Sequence, residues 1–364
     1  MSIPGFTSKI QVGLRSLCAV ALLLLCSAVF AQQPPPPPGA YDAAPYLGQI
    51  RNTYVYGDIW ERPGLSARDR SMITVAVNQA TYATYATNEL RLHMGRALDN
   101  GITQAELVEI IAHTLWYSGF PTGVNAARVA AQVFEERGLP AIPPGASSRQ
   151  PPVNPELEFP GAYQQAPYLR DLLNQVLYAE TWKREELSPR DRSMITVAVG
   201  TALYASSEVR YHIGRGLDNG VTQDEISELI THVTFYTGFP TGVNASRVAA
   251  EVFEARGLPL SDSRFPGAPY LDELITGMLY GETWTREQLS ERDRSLATIA
   301  VTLANYQTDQ LRVHLNRGLD NGLTTEEISE LIAQVTMYAG FPPGVNASRT
   351  FAEVLQERGM PLPD

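Results

Sequence analysis

One pattern limits the possible folds of this 364-residue chain more than any other: a long stretch recurs three times. Its copies cover residues 68–134, 190–253 and 292–355. Asp69, Asp191 and Asp293 correspond, as do His93, His212 and His314 and the Gly-Phe-Pro triplets that begin at Gly119, Gly238 and Gly340. The second and third copies keep the same landmark spacing, and the first carries a short insertion before its histidine. A period of about a hundred residues marks a repeated domain, because solenoid units run about 20–50 residues. The chain therefore reads as three domains, 41–139, 161–259 and 260–364, with a linker at 140–160 rich in Pro, Ser and Gly. The joint between the second and third units is shorter, so those two are expected to be held closer than the first and second.

Residues 1–31 read as a signal peptide: Lys9 and Arg15 precede an apolar run from 17 to 30, and Ala31 suits cleavage. Residues 32–40 follow as a stiff spacer with five consecutive prolines. A periplasmic or secreted protein is expected, with no membrane contact after cleavage; the alternative is a retained anchor, for which the apolar run is short against the about 20 residues of a membrane span. The two cysteines, Cys18 and Cys26, both lie in the leader. The exported chain would then have no disulfide, no thiolate nucleophile and no thiolate metal site. The net charge of −11 argues against nucleic acid as a partner.

Inside each unit the local signals are helical. In the second unit, residues 168–181 carry apolar side chains at helical spacing. Ser188-Pro189-Arg190-Asp191 is a helix start, with a capping Ser, an early Pro and a carboxylate facing free N–H groups. Residues 194–203 are apolar nearly all round, which predicts a buried helix. Residues 208–217 form a helix that stops at Asn219-Gly220. Thr222 and Glu225 make a capping box for a helix that ends at Gly238, and a last helix is expected from 244 to 256. No stretch reads convincingly as a strand, so the fold class is all-α.

All five histidines fall at two repeat positions. At the first, Glu89, His93 and Arg96 share one helix stripe, as do Glu208, His212 and Arg215. The third unit has Gln310, His314 and Arg317. A carboxylate beside an imidazole orients it and favours its charged form, which suits proton transfer, and the Arg could hold a carboxylate. The same spacing also builds an exposed ion-pair ladder, and spacing alone leaves both readings open. The second position holds His113, His232 and Gln334. Its apolar setting reads first as a core histidine and second as a substrate contact. No pattern gives the three or four ligands of a metal site, so neither metal nor cofactor is expected. The aromatic pairs Tyr56/Trp60, Tyr178/Trp182 and Tyr280/Trp284 read as core residues that could also wall a pocket.

Together the motifs make a more specific pattern. Trp60-Glu61-Arg62-Pro63-Gly64-Leu65 precedes Arg68-Asp69-Arg70-Ser71; then come Glu89-x-Arg91-x-His93, Asn100-Gly101, Tyr117-Ser118-Gly119-Phe120-Pro121 and Asn125-Ala126. Units two and three repeat it, although Trp182 and Trp284 lack the following Arg-Pro-Gly. Each unit resembles the carboxymuconolactone decarboxylase domain of the alkylhydroperoxidase D-like superfamily. The resemblance implies three tandem alkylhydroperoxidase D-like helical domains of a family that assembles as trimers or hexamers. It also implies either decarboxylation of a lactone acid or thiol-based peroxide reduction, and the absence of cysteine outside the leader disfavours the second. His93, His212 and His314 with Glu89 and Glu208 would then be catalytic. Arg96, Arg215, Arg317, His113 and His232 would bind a small carboxylic acid or lactone. A non-catalytic binding or scaffold protein on the same fold is the alternative. A pseudo-trimer within one chain is expected, with a homodimer of chains as a further possibility.

Overall fold

The computed structural model describes residues 44–82, 87–140 and 173–363. Residues 1–31, with both cysteines and the expected signal peptide, the proline spacer and nearly all of the expected linker lie outside the described residues. Contacts divide the chain into residues 1–48 and residues 49–364, and the domain cores all lie in the second of these.

Among the described residues every regular element is helical, and each repeat is built on four helices. Unit one has α1 (Ala67–Tyr82), α2 (Thr87–Asp99), α3 (Gln104–Ser118) and α4 (Phe120–Glu136). Unit two has α5 (Pro189–Ala202), α6 (Ser206–Asp218), α7 (Gln223–Thr237) and α8 (Phe239–Ala255). Unit three has α9 (Glu291–Ala304), α10 (Thr308–Asp320), α11 (Thr325–Ala339) and α12 (Phe341–Glu357). The fold is all-α, in three tandem domains.

The local signals act as their chemistry requires. The Ser188 hydroxyl accepts the Asp191 N–H at 3.1 Å, and Ser66 and Ser290 cap α1 and α9 in the same way. Thr103, Thr222 and Thr324 complete capping boxes with Glu106, Glu225 and Glu327. The helix expected from 244 instead begins at Phe239. Gly238 is a joint between two helices rather than the start of a loop. Its φ of 91° is closed to side chains with a Cβ, and Pro240 then opens the next helix. Gly119 and Gly340 repeat the joint, at φ 94° and 97°. Ahead of each core runs a less regular segment. The helix expected over 168–181 is π-wound over Leu173–Tyr178, followed by a 3₁₀ turn over Thr181–Lys183, and its first residues are outside the described set. Arg51–Ile59 and Leu274–Thr283 are also π-wound.

Units one and two share a continuous apolar core, in which α1 and α3 pack on α5 and α7. Unit three has its own core. This corrects the expectation from linker length: the pair with the long linker is the closely joined one. A long linker lets two units face each other freely, so its length says little about contact. Unit three is tied in by its entry segment. Ala268, Leu271, Leu274 and Ile275 join the core of units one and two, and the Tyr270 hydroxyl donates to Asp58 Oδ2 at 2.6 Å.

The contact between units one and two is reciprocal. Arg68 reaches Asp191 at 3.2 Å, and Arg190 reaches Asp69 at 3.3 Å. Arg192 pairs with Glu109 at 2.9 Å, and Arg70 pairs with Glu228 at 3.1 Å. Such an exchange is that of a twofold, in which residue i meets j and j meets i. A threefold ring would pass the contact on in one direction, so the pseudo-trimer expected within the chain is not the relation between these two units.

Candidate active site

The histidine at the first repeat position projects from the inner side of the second helix of its unit. His93 on α2, His212 on α6 and His314 on α10 are all buried. Each ring stacks on the tryptophan of its own entry segment. The centroid separation is 6.3 Å for Trp60–His93, for Trp182–His212 and for Trp284–His314, with interplanar angles of 16°, 8° and 12°. The arginine one turn on lies over the same Tyr/Trp pair. Arg96 Cζ lies 3.8 Å from the Trp60 ring and 4.5 Å from Tyr56. Arg215 lies 4.6 Å from Trp182 and 4.7 Å from Tyr178, and Arg317 lies 3.9 Å from Tyr280. One desolvated cation–π contact of this kind contributes on the order of 2 kcal/mol.

The remaining wall comes from the other unit. Trp60 Nε1 donates to the Tyr236 hydroxyl at 2.8 Å, and Trp182 Nε1 donates to the Tyr117 hydroxyl at 2.9 Å. Tyr236 meets His93 edge-on at 5.5 Å, and Tyr117 meets His212 at 5.4 Å. Each of the first two sites is thus assembled across the seam, and burial pushes the Tyr117 hydroxyl pKa up to about 12.

The histidines of the second position lie in the seam behind this wall. His113 Nε2 is 2.9 Å from Thr196 Oγ1, and His232 Nε2 is 2.9 Å from Thr74 Oγ1. Both are completely buried, which holds their pKa values well below the ordinary range. His113 and His232 meet Trp182 and Trp60 edge-on, at 5.2 and 5.3 Å. The core reading is the one the geometry favours, with each ring held by a threonine of the opposite unit.

Electrostatics alters one expectation. Glu89 and Glu208 are exposed at the solvent ends of α2 and α6, and neither makes a hydrogen bond or ion pair with its histidine among the described residues. The intended partner lies one turn nearer the helix start, where the stripe leaves the core. The imidazoles are neutral instead. Burial, with Arg96 and Arg51 nearby, lowers His93 to about 3; burial and Arg215 lower His212 to about 3; burial and Arg317 lower His314 to about 4.

These sites also keep polar atoms without hydrogen-bond partners among the described residues. Nδ1 of His93, His212 and His314 is buried and unbonded in every unit, as are Nε and Nη1 of Arg96 and Nε of Arg215. Buried polar groups are nearly always satisfied, so this set, repeated beside an aromatic wall, makes the three positions candidates for contact with a polar ligand. Among the described residues no cluster of metal-ligating side chains occurs. Sequence reasoning missed Tyr117 and Tyr236, and with them Glu109 and Glu228. The available signal was the Glu-His-Tyr stripe at four-residue steps along α3 and α7, which puts all three on one helix face.

Comparison with known proteins agrees with this architecture. The model of the carboxymuconolactone decarboxylase family matches three times, at residues 45–132, 167–251 and 269–353. A 4-carboxymuconolactone decarboxylase of Acinetobacter baylyi is 37% identical over 86 residues, which is 24% of this chain and 62% of that protein. A nitrosuccinic acid decarboxylase of Metarhizium robertsii is 31% identical over 88 residues, 24% of this chain and 59% of the relative. An uncharacterised 15.0 kDa protein of Paracoccus denitrificans is 39% identical over 67 residues, 18% of this chain and 50% of the relative. The chain thus spans between half and about three fifths of the length of these relatives. With a family match that covers most of the residues, in all three repeats, the chain belongs to the carboxymuconolactone decarboxylase family.

Proposed function

We propose that this chain is an exported carboxy-lyase that removes CO2 from a small carboxylic or lactone acid without a cofactor, at the sites built around His93 and His212. One observation carries the reading: at the His93 site a buried imidazole, whose Nδ1 has no hydrogen-bond partner among the described residues, lies beside the buried Arg96 guanidinium on an aromatic wall, and His212 with the half-buried Arg215 repeats the arrangement. The printed names of two relatives, which denote loss of a carboxyl group from a small acid, support it.

The chemistry follows from these groups. A bound carboxylate satisfies the arginine and raises the pKa of the adjacent imidazole, which takes a proton from solvent. When the bond to CO2 breaks, its electron pair moves into the conjugated carbonyl of the substrate. Arg96 or Arg215 opposes the charge that develops on that oxygen, and the imidazolium gives its proton to the carbon. One proton is consumed for each CO2 released. Glu89 and Glu208 have no orienting role in this scheme, and the tryptophan stack orients the ring instead. His314 and Arg317 repeat the arrangement in unit three without the wall supplied by a second unit.

The test is CO2 release from a panel of lactone acids and β-keto acids by the purified chain. Turnover that disappears when His93→Ala and His212→Ala are combined supports the reading. No turnover on any member of the panel, with binding of the same acids intact, favours the binding or scaffold alternative.

A further inference from the structure

Unit three carries the same seam-forming face as units one and two, and among the described residues nothing equivalent is packed on it. The matching positions show this directly. Val77 and Val199 are 0% exposed in the seam, whereas Val301 on α9 is 55% exposed. Ile73 and Ile195 are buried, and their counterpart Ala297 is exposed. Glu109 and Glu228 are 1% and 6% exposed, and Glu330 on α11 faces solvent with no ion pair among the described residues. Gln334, at the position of His113 and His232, is also exposed. Arg70 and Arg192 are completely buried against a glutamate of the other unit, while the Arg294 side chain donates to the Arg286 carbonyl and meets no glutamate among the described residues.

We infer that a second copy of this chain covers the face, so that unit three pairs with unit three about a twofold. The face is complementary to itself. It presents both Arg294 and Glu330, the two halves of the exchange that joins units one and two. Across a twofold each Arg294 meets Glu330 of the other copy, as Arg192 meets Glu109 at 2.9 Å and Arg70 meets Glu228 at 3.1 Å. Thr298 meets Gln334 as Thr196 meets His113, and Val301 is buried on its symmetry mate. The same pairing supplies the wall that no described residue gives the His314 site. Trp284 is half-buried where Trp60 and Trp182 are buried, because the helix that covers those two comes from the opposite unit. In the pair, α11 of each copy closes the His314 site of the other. Isologous contact of one face with itself is the commonest closed arrangement of identical chains. This inference stands apart from the reaction proposed above.

Sedimentation velocity of the full chain at micromolar concentration tests it. The expected mass is that of two chains, twice 39.9 kDa. Arg294→Glu alone and Glu330→Arg alone each place like charges in both contacts, and are expected to weaken association by about a hundredfold or more. A mixture of the Arg294→Glu chain with the Glu330→Arg chain restores opposite charges at both contacts, and is expected to recover the dimer. Val301→Arg alters an exposed side chain that the fold of the single chain does not use, and is expected to give monomers with unchanged helix content. A native chain that sediments as a monomer overturns the inference. So does a dimer that survives Val301→Arg, because the copies would then join elsewhere.

Discussion

Replacing Glu109 by alanine probes the seam most directly. Its carboxylate is 1% exposed and accepts from Arg192 Nη1 at 2.9 Å and from Arg184 Nε at 2.5 Å. The Arg192 side chain is 0% exposed, and it also donates to the Arg184 carbonyl, at 2.8 Å. Glu109→Ala therefore strands a buried cation, and removing one member of such a pair costs about 3–5 kcal/mol. Glu330→Ala, made in the monomeric Val301→Arg chain, removes the same residue type from an exposed position, and is expected to change stability by no more than about 0.5 kcal/mol. Urea unfolding gives the comparison, followed by circular dichroism and by tryptophan fluorescence, since Trp182 lies against the same helix. Adding Arg192→Met to the Glu109→Ala chain removes the stranded charge with similar bulk, and should recover most of the loss. A loss for Glu109→Ala below about 1 kcal/mol, or no recovery in the double variant, would refute the reasoning that the exchanged ion pairs lock the two units together.

Three further outcomes are expected. Because burial holds His93 and His212 at about 3 in the folded chain against 6.5 unfolded, their contribution to stability is complete above about pH 6.5 and is lost as pH falls toward 3. The loss is about 2 kcal/mol per ring by pH 5; urea midpoints at the two pH values measure it, and imidazole NMR should find both rings neutral at about pH 5. In a His93→Ala chain, where the His212 site is left to work, Tyr117→Phe should lower turnover about fivefold, the worth of one neutral hydrogen bond, while Tyr236→Phe should leave it unchanged. Arg215→Met in the same background should raise KM for an anionic substrate about 10- to 100-fold, and Arg215→Lys should not restore it, because the planar stack on Trp182 and Tyr178 is lost; steady-state kinetics decides both.

Much of this protein is legible in its sequence. The capping boxes at Thr103, Thr222 and Thr324 join groups three residues apart, so they are determined locally. The burial of α5 follows from an apolar run on every face, and its residues Asp191–Thr201 are indeed buried. The repeat announces three related domains. The His-Arg stripe is readable because a three-residue step keeps both groups on one side of a helix.

What only the tertiary structure decided is which face of each domain meets which other face. Arg192 and Glu109 are 83 residues apart in sequence, and Arg70 and His232 are 162 apart. No local period records such a pairing. For the same reason Glu89 and Glu208 looked like partners of the histidines: they share the stripe, but the depth of burial changes along it, and only packing sets where the stripe meets water. The protonation of His93 and His212 was misread on that ground, since desolvation is a property of the assembled site and not of neighbours in sequence. Tyr117 and Tyr236 stand on helices that bury one face within their own unit and turn a second face outward, and sequence alone does not say that the second face completes the neighbouring site.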